Sequence, residues 1–88
     1  MANSPQSRKR ARQAQNRRLR RVAQSSMVRT HLKRVAAGIE SQDHAVALAA
    51  YQQVVPVLDR MVSKGIVPKN KAARHKRRFN RQIRALAA

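Results

Sequence analysis

Residues 17–40 read RRLRRVAQSSMVRTHLKRVAAGIE. Within them Val28, Leu32, Val35, Ala36 and Ile39 step by threes and fours, the spacing of one helical stripe. Followed backward, that stripe passes through Ser25, Gln24, Arg21, Arg18 and Arg17. One side of a single helix is therefore apolar toward its C-terminus and cationic toward its N-terminus. Leu19, Val22 and Ala23 lie off the stripe. The pattern predicts a helix that packs on protein from about residue 28 onward and projects before it as an arm.

Upstream, Ser4-Pro5 supplies a start signal. Serine can cap the free N–H groups of a first turn, and proline fits the first helical position, where its missing N–H costs nothing. From there to Glu40 is roughly 36 residues, or about 54 Å at 1.5 Å per residue. A compact chain of about 100 residues has a radius of gyration near 13 Å, so one end must leave the body. Arg8, Lys9, Arg10, Arg12, Arg17, Arg18, Arg20 and Arg21 cover most sides of that end. Like charges at helical spacing destabilise an isolated helix. The arm is expected to order fully only on a polyanion.

Downstream, Ser41-Gln42-Asp43 forms a turn, with Asp43 the expected cap of a second helix over about 44–64. Val46, Leu48, Ala49, Tyr51, Val54, Val55, Leu58, Met61 and Val62 spread over most of its circumference, which predicts burial on more than one side. Gln52, Gln53, Pro56, Asp59 and Ser63 form its polar strip. A proline there either kinks the helix on its wet side or ends it. Lys64-Gly65-Ile66 fits a helix stop, with Gly65 left-handed and Ile66 folding back on Met61.

A third helix is expected over about 69–87. Ala72, His75, Phe79, Ile83 and Leu86 form its apolar face, and Asn70, Arg74, Arg77, Arg81 and Arg84 the opposite one, flanked by Lys69, Lys71, Lys76 and Arg78. The fold class is all-α: a three-helix bundle with a long protruding first helix, in a single domain over 1–88 whose residues 1–27 are a basic arm continuous with that helix.

The chain of 88 residues carries 21 Lys+Arg against 3 Asp+Glu, a net charge of +18. Such charge opposes compaction unless a polyanion neutralises it. It is laid out in three blocks. Residues 8–34 hold eleven bases and no acid, residues 35–59 hold all three acids and no base, and residues 60–84 hold the other ten bases. Two segments thus face a polyanion and the middle one faces protein. Residues 1–30 share the Arg-rich, acid-free character of organellar transit peptides, but the C-terminal third is equally basic.

With no Cys and no His spacing suited to a metal, no thiolate or metal centre is expected. Glu40 and Asp43 sit at a turn, where capping is the expected role, and no positioned acid–base pair or glycine-rich phosphate loop is present. Neither an enzyme, a cofactor nor a small-molecule substrate is expected. No apolar run approaches the ~20 residues of a membrane span. One Tyr, one Phe and no Trp speak against a stacking platform or an interfacial membrane helix.

His31 flanks the packing stripe and is expected half-buried, and His44 exposed. His75 divides evenly between packing and an RNA hydrogen bond. Nucleic acid is the polyanion that best matches cations at many points of a surface. Arginine outnumbers lysine 15 to 6, and its planar fork can hold phosphate by two bonds or stack on a base. Composition alone does not separate RNA from DNA, and a histone-like nucleoid protein remains the alternative.

Several stretches carry a resemblance. Met1-Ala2-Asn3-Ser4 with the basic arm, Ser26-Met27-Val28-Arg29-Thr30, Ala50-Tyr51, Pro56-Val57-Leu58-Asp59-Arg60 and Lys64-Gly65-Ile66 lead to the most specific run, Lys69-Asn70-Lys71-Ala72-Ala73-Arg74-His75-Lys76. In order and over the whole chain, the sequence resembles the small-subunit ribosomal protein S-twenty family of bacteria and plastids. The resemblance implies a three-helix bundle in the cytoplasmic ribosome. It implies direct binding to small-subunit (16S) ribosomal RNA, at the 5′ domain and the penultimate stem, with other small-subunit proteins touched only peripherally. It also implies that Arg29 and the run from Asn70 to Lys76 contact RNA, with the arm threading between RNA helices. Together with the arm cations, Asn3, Lys33, Lys69, Arg77, Arg78 and Arg81 complete the candidate contacts. The chain departs from the family pattern at His31, where an aromatic or aliphatic residue is usual, and in the extra charge of Arg77 and Arg78.

Overall fold

The computed structural model describes residues 4–87. Ser4 opens the first helix: the Ser7 N–H donates to Ser4 Oγ at 3.1 Å, and Pro5 takes the first helical position. Helix α1 then runs without a break over Pro5–Glu40. Its end is closed by side chain and backbone together. Ser41 Oγ donates to the Gly38 carbonyl at 2.8 Å, and the Gln42 N–H donates to the Ile39 carbonyl at 3.0 Å. Gln42 takes a φ of 59°, a left-handed conformation that glycine adopts more readily, and nothing in its side chain announced it.

Helix α2 spans His44–Ser63 and helix α3 Lys69–Ala87. Asp43 caps α2 by accepting from the Val46 N–H at 3.3 Å. Gly65, at φ 75°, ends it: its N–H reaches the Val62 carbonyl at 3.0 Å and the Ile66 N–H reaches the Met61 carbonyl at 2.9 Å. These two bonds satisfy carbonyls that a helix end leaves free. Pro56 lies within α2 on its exposed side, so the helix continues through it rather than ending there.

The core forms where the three helices meet. Val28 and Val35 of α1, Ala47, Val54, Val57, Leu58 and Met61 of α2, and Ala72, Phe79 and Ile83 of α3 are buried, with Val67 from the loop before α3. Helix α2 sits between the others; α1 packs chiefly on α2, and the α1–α3 contact is the thinnest of the three. Gly38 marks a close approach of α1 to α2. A Cβ there would lie 2.9 Å from the Ala47 Cα and 3.1 Å from its N, so only glycine lets the α2 backbone come this near.

Two expectations about packing are corrected. Ala36 is exposed, because its side of α1 opens on the shallow seam with α3. Val46, Leu48 and Ala49 are exposed as well, since α2 has only two helical neighbours and its third side stays bare. Ala47 and Val57, absent from the expected core, are buried.

The molecule measures 65 × 22 × 14 Å, with a radius of gyration of 18.0 Å. The excess over the ~13 Å of a compact chain of about this size is the arm. Between Ser4 and Met27 every residue is exposed except Ser7 and Gln24, which are half-buried. The sequence stripe thus changes partner at Val28, as its change from cationic to apolar predicts.

Candidate nucleic-acid interface

The side chains that set the electrostatics of the surface are placed by helical register. On α3, Ala72, Phe79 and Ile83 face the core, which turns Asn70, Arg74, Arg77, Arg81 and Arg84 to solvent. Arg74, Arg77, Arg78 and Arg81 surround a shallow hollow lined by arginine side chains alone. With so few acids on the chain, these charges are held together by the packing of the opposite face rather than by counter-ions of their own.

A second cluster forms across the thin α1–α3 seam. Arg29 and Lys33 from α1 meet His75 and Arg78 from α3 around a groove of 410 Å³ whose floor is apolar. An adjoining hollow joins Arg29 to Lys71 and His75. Arg78 belongs to both the groove and the arginine hollow, so the cationic surface runs continuously from α1 to the outer face of α3.

His75 stands at the centre. Its ring stacks on Phe79, with centroids 6.0 Å apart and planes 24° from parallel. Desolvation by partial burial holds its pKa below the usual histidine value, and the cations Lys71, Arg78 and Arg74 push in the same direction. The packing half of the sequence reading is met, while the ring's free edge faces the cationic groove.

Along the arm the expected cations are all exposed. Arg17, Arg18 and Arg21 flank one hollow, and Arg17 and Arg20 another. Leu19 and Val22 are 60% and 56% exposed, consistent with their place off the stripe. Arg8, Lys9, Arg10 and Arg12 extend this charge toward the N-terminus. Asn3 lies outside the described residues.

Lys76 departs from the rest. Its Nζ donates to Asp59 Oδ1 at 2.8 Å, and its carbonyl accepts from Tyr51 Oη at 3.4 Å. Lys76 thus points toward α2, where it ties the two helices together, rather than along the arginine hollow. Asp43 acts as the expected cap. Glu40 does not: the Ser41 hydroxyl performs the closure, and Glu40 lines the α1–α3 groove.

The groove itself escaped the sequence reading, yet its signal is there. Arg29, Lys33, Ala36 and Glu40 step by four, three and four along α1, and Lys71, His75, Arg78 and Gln82 do the same along α3. Each is a second stripe beside the packing stripe, and the two face each other across the seam.

Comparison with known proteins gives the family. The family profile described as Ribosomal protein S20 matches residues 2–84. The chain belongs to the ribosomal protein S20 family. Among its S20 relatives, the small ribosomal subunit protein bS20 of Alcanivorax borkumensis is 59% identical over 88 residues, covering both chains completely. The bS20 proteins of Teredinibacter turnerae and of a Psychrobacter species are 58% and 54% identical, again over the full length of both chains. As an S20 family member the chain is a structural protein of the small subunit of the cytoplasmic ribosome, and not an enzyme. Among the described residues, no helix is long and apolar enough to cross a membrane.

Proposed function

We propose that the chain binds small-subunit (16S) ribosomal RNA directly and stabilises its folding during assembly. The observation that carries this reading is the continuous cationic surface from Arg29 and Lys33 across Arg78 to Arg74, Arg77 and Arg81, extended by an arm with no protein face beneath it. Such an arm has contact area to offer only to a partner. The S20 likeness supports the 5′ domain and the penultimate stem as the RNA elements engaged. Lys69, Asn70 and Lys71 lie exposed in the first turn of α3, Lys71 lining the hollow that adjoins the groove, and complete the body's share of the contact.

The binding follows from counter-ion release. Each phosphate neutralised by Arg or Lys frees condensed cations. For about 6–10 phosphate contacts, affinity falls roughly 10³–10⁵-fold between 50 and 200 mM salt. Arginine hollows also fix orientation, because a guanidinium can hold phosphate by two parallel bonds. Competition at fixed salt between 16S RNA fragments and random duplex DNA tests the reading. Preference for the ribosomal fragments is expected. Equal affinity for both refutes it and leaves a nucleoid-compacting DNA binder in its place.

A further inference from the structure

The arginine hollow on α3 is lined by arginines alone and the arm is dominated by them, but the groove between α1 and α3 joins a cationic rim to an apolar floor. Its floor is Leu32, Ala36, Ile39 and Phe79, and its rim is Arg29, Lys33 and Arg78. Phosphates need the rim and have no use for the floor. A-form duplex hides the flat faces of its bases in the stack, so it too leaves the floor unused. We propose that this groove receives one unpaired RNA nucleotide, its base lying on the apolar floor and its phosphate held by the rim cations. The proposal rests on the reading of the chain as an RNA binder.

Three features favour this occupant. The groove sets an apolar floor directly beneath a cationic rim, the two kinds of surface that a nucleotide needs together. The His75 ring, stacked on Phe79, adds an aromatic surface of the kind on which splayed bases rest. Burial and its cationic neighbours disfavour its charged form, and what it presents to the groove is a flat face. Glu40 supplies the third. A carboxylate lining the groove repels phosphate but accepts from an exocyclic amino group, as on adenine, cytosine or guanine. Charge complementarity at the rim and polarity at the end thus select a nucleotide, oriented with its base toward Glu40.

The test uses the full chain and two RNA hairpins of equal length and charge, one fully paired and one with a single bulged adenosine. Fluorescence anisotropy at matched salt gives both affinities. Wild type is expected to favour the bulged hairpin by about 5- to 150-fold, the range that stacking one base supplies. Ala36→Leu fills the floor without changing charge. It is expected to bring the ratio close to one while preserving affinity for the paired hairpin. Arg81→Ala, outside the groove, is expected to weaken both hairpins alike. A wild-type ratio of one overturns the proposal, as does an Ala36→Leu chain that loses affinity for both hairpins equally. Random duplex DNA as a third competitor separates the two readings. If DNA matches or outcompetes both hairpins, the RNA assignment itself fails; if both hairpins outcompete DNA and their ratio is one, only the groove proposal fails.

Discussion

Replacing Gly38 by alanine probes the contact that sets the angle of the arm. The new Cβ would sit 2.9 Å from the Ala47 Cα and 3.1 Å from its N, whereas carbon atoms rest about 3.5–4.0 Å apart. Both atoms are backbone, so no side chain can rotate aside, and α1 must move by roughly 0.6–1.1 Å. Overpacking of this kind costs about 1–3 kcal/mol, offset by up to about 1 kcal/mol from the better helix propensity of alanine. The net expectation is a loss of about 1–2 kcal/mol, or a fall in Tm of roughly 5–15 °C for a domain of this size. If α1 tilts about Val28, some 15 Å away along the helix, its far end swings by about 2 Å. Thermal unfolding by circular dichroism measures the stability, and RNA affinity reports the swing. Ala47→Gly in the same chain should not rescue it, because the clash is with backbone rather than with the Ala47 methyl. A neutral or stabilised Gly38→Ala chain, or rescue by Ala47→Gly, would refute the argument.

Three further outcomes are expected. Helicity of the free chain should rise on adding ribosomal RNA, because Pro5–Met27 lacks a packing face; a flat circular dichroism signal with full helicity already present contradicts this. Arg74→Ala should weaken RNA binding and lower the salt slope by about one unit, whereas Arg60→Ala on α2 should do little; comparable losses at both show that the binding face is misplaced. His75 should titrate below 6.5 in the free chain by NMR. Its neutral form is favoured by folding, so that contribution is complete above pH 6.5 and is lost as pH falls from there toward the depressed folded value. His75→Gln should remove this part of the pH dependence, and an unchanged acid-side profile tells against it.

What the sequence made legible was whatever a short stretch of chain decides locally. Ser4-Pro5, Asp43 and Gly65 are end signals whose chemistry acts within one turn, and all three behave as read. The change of stripe at Val28 needs only the helical period, and burial begins there. Gly38 was opaque for the opposite reason. Its purpose lies in the approach of the Ala47 backbone, nine residues away through a turn, and no local pattern records it. The bare Val46 and Leu48 have the same origin: an apolar circumference states what a helix could bury, while the number of neighbours decides what it does bury. At the interface, the cations of α3 were legible by periodicity. Lys76 was not separable from them, because its partner Asp59 belongs to another helix.

The uninterrupted course of α1 has a mechanical meaning. Between Pro5 and Gly38 it contains neither glycine nor proline, so once formed it has no hinge. Core, groove and arm are carried on one rod in a molecule 65 Å long. Two nucleic-acid elements gripped at its ends are therefore held at a fixed spacing and a fixed mutual angle. The helix then works as a gauge block: a misfolded RNA with the wrong separation can engage one end or the other, but not both.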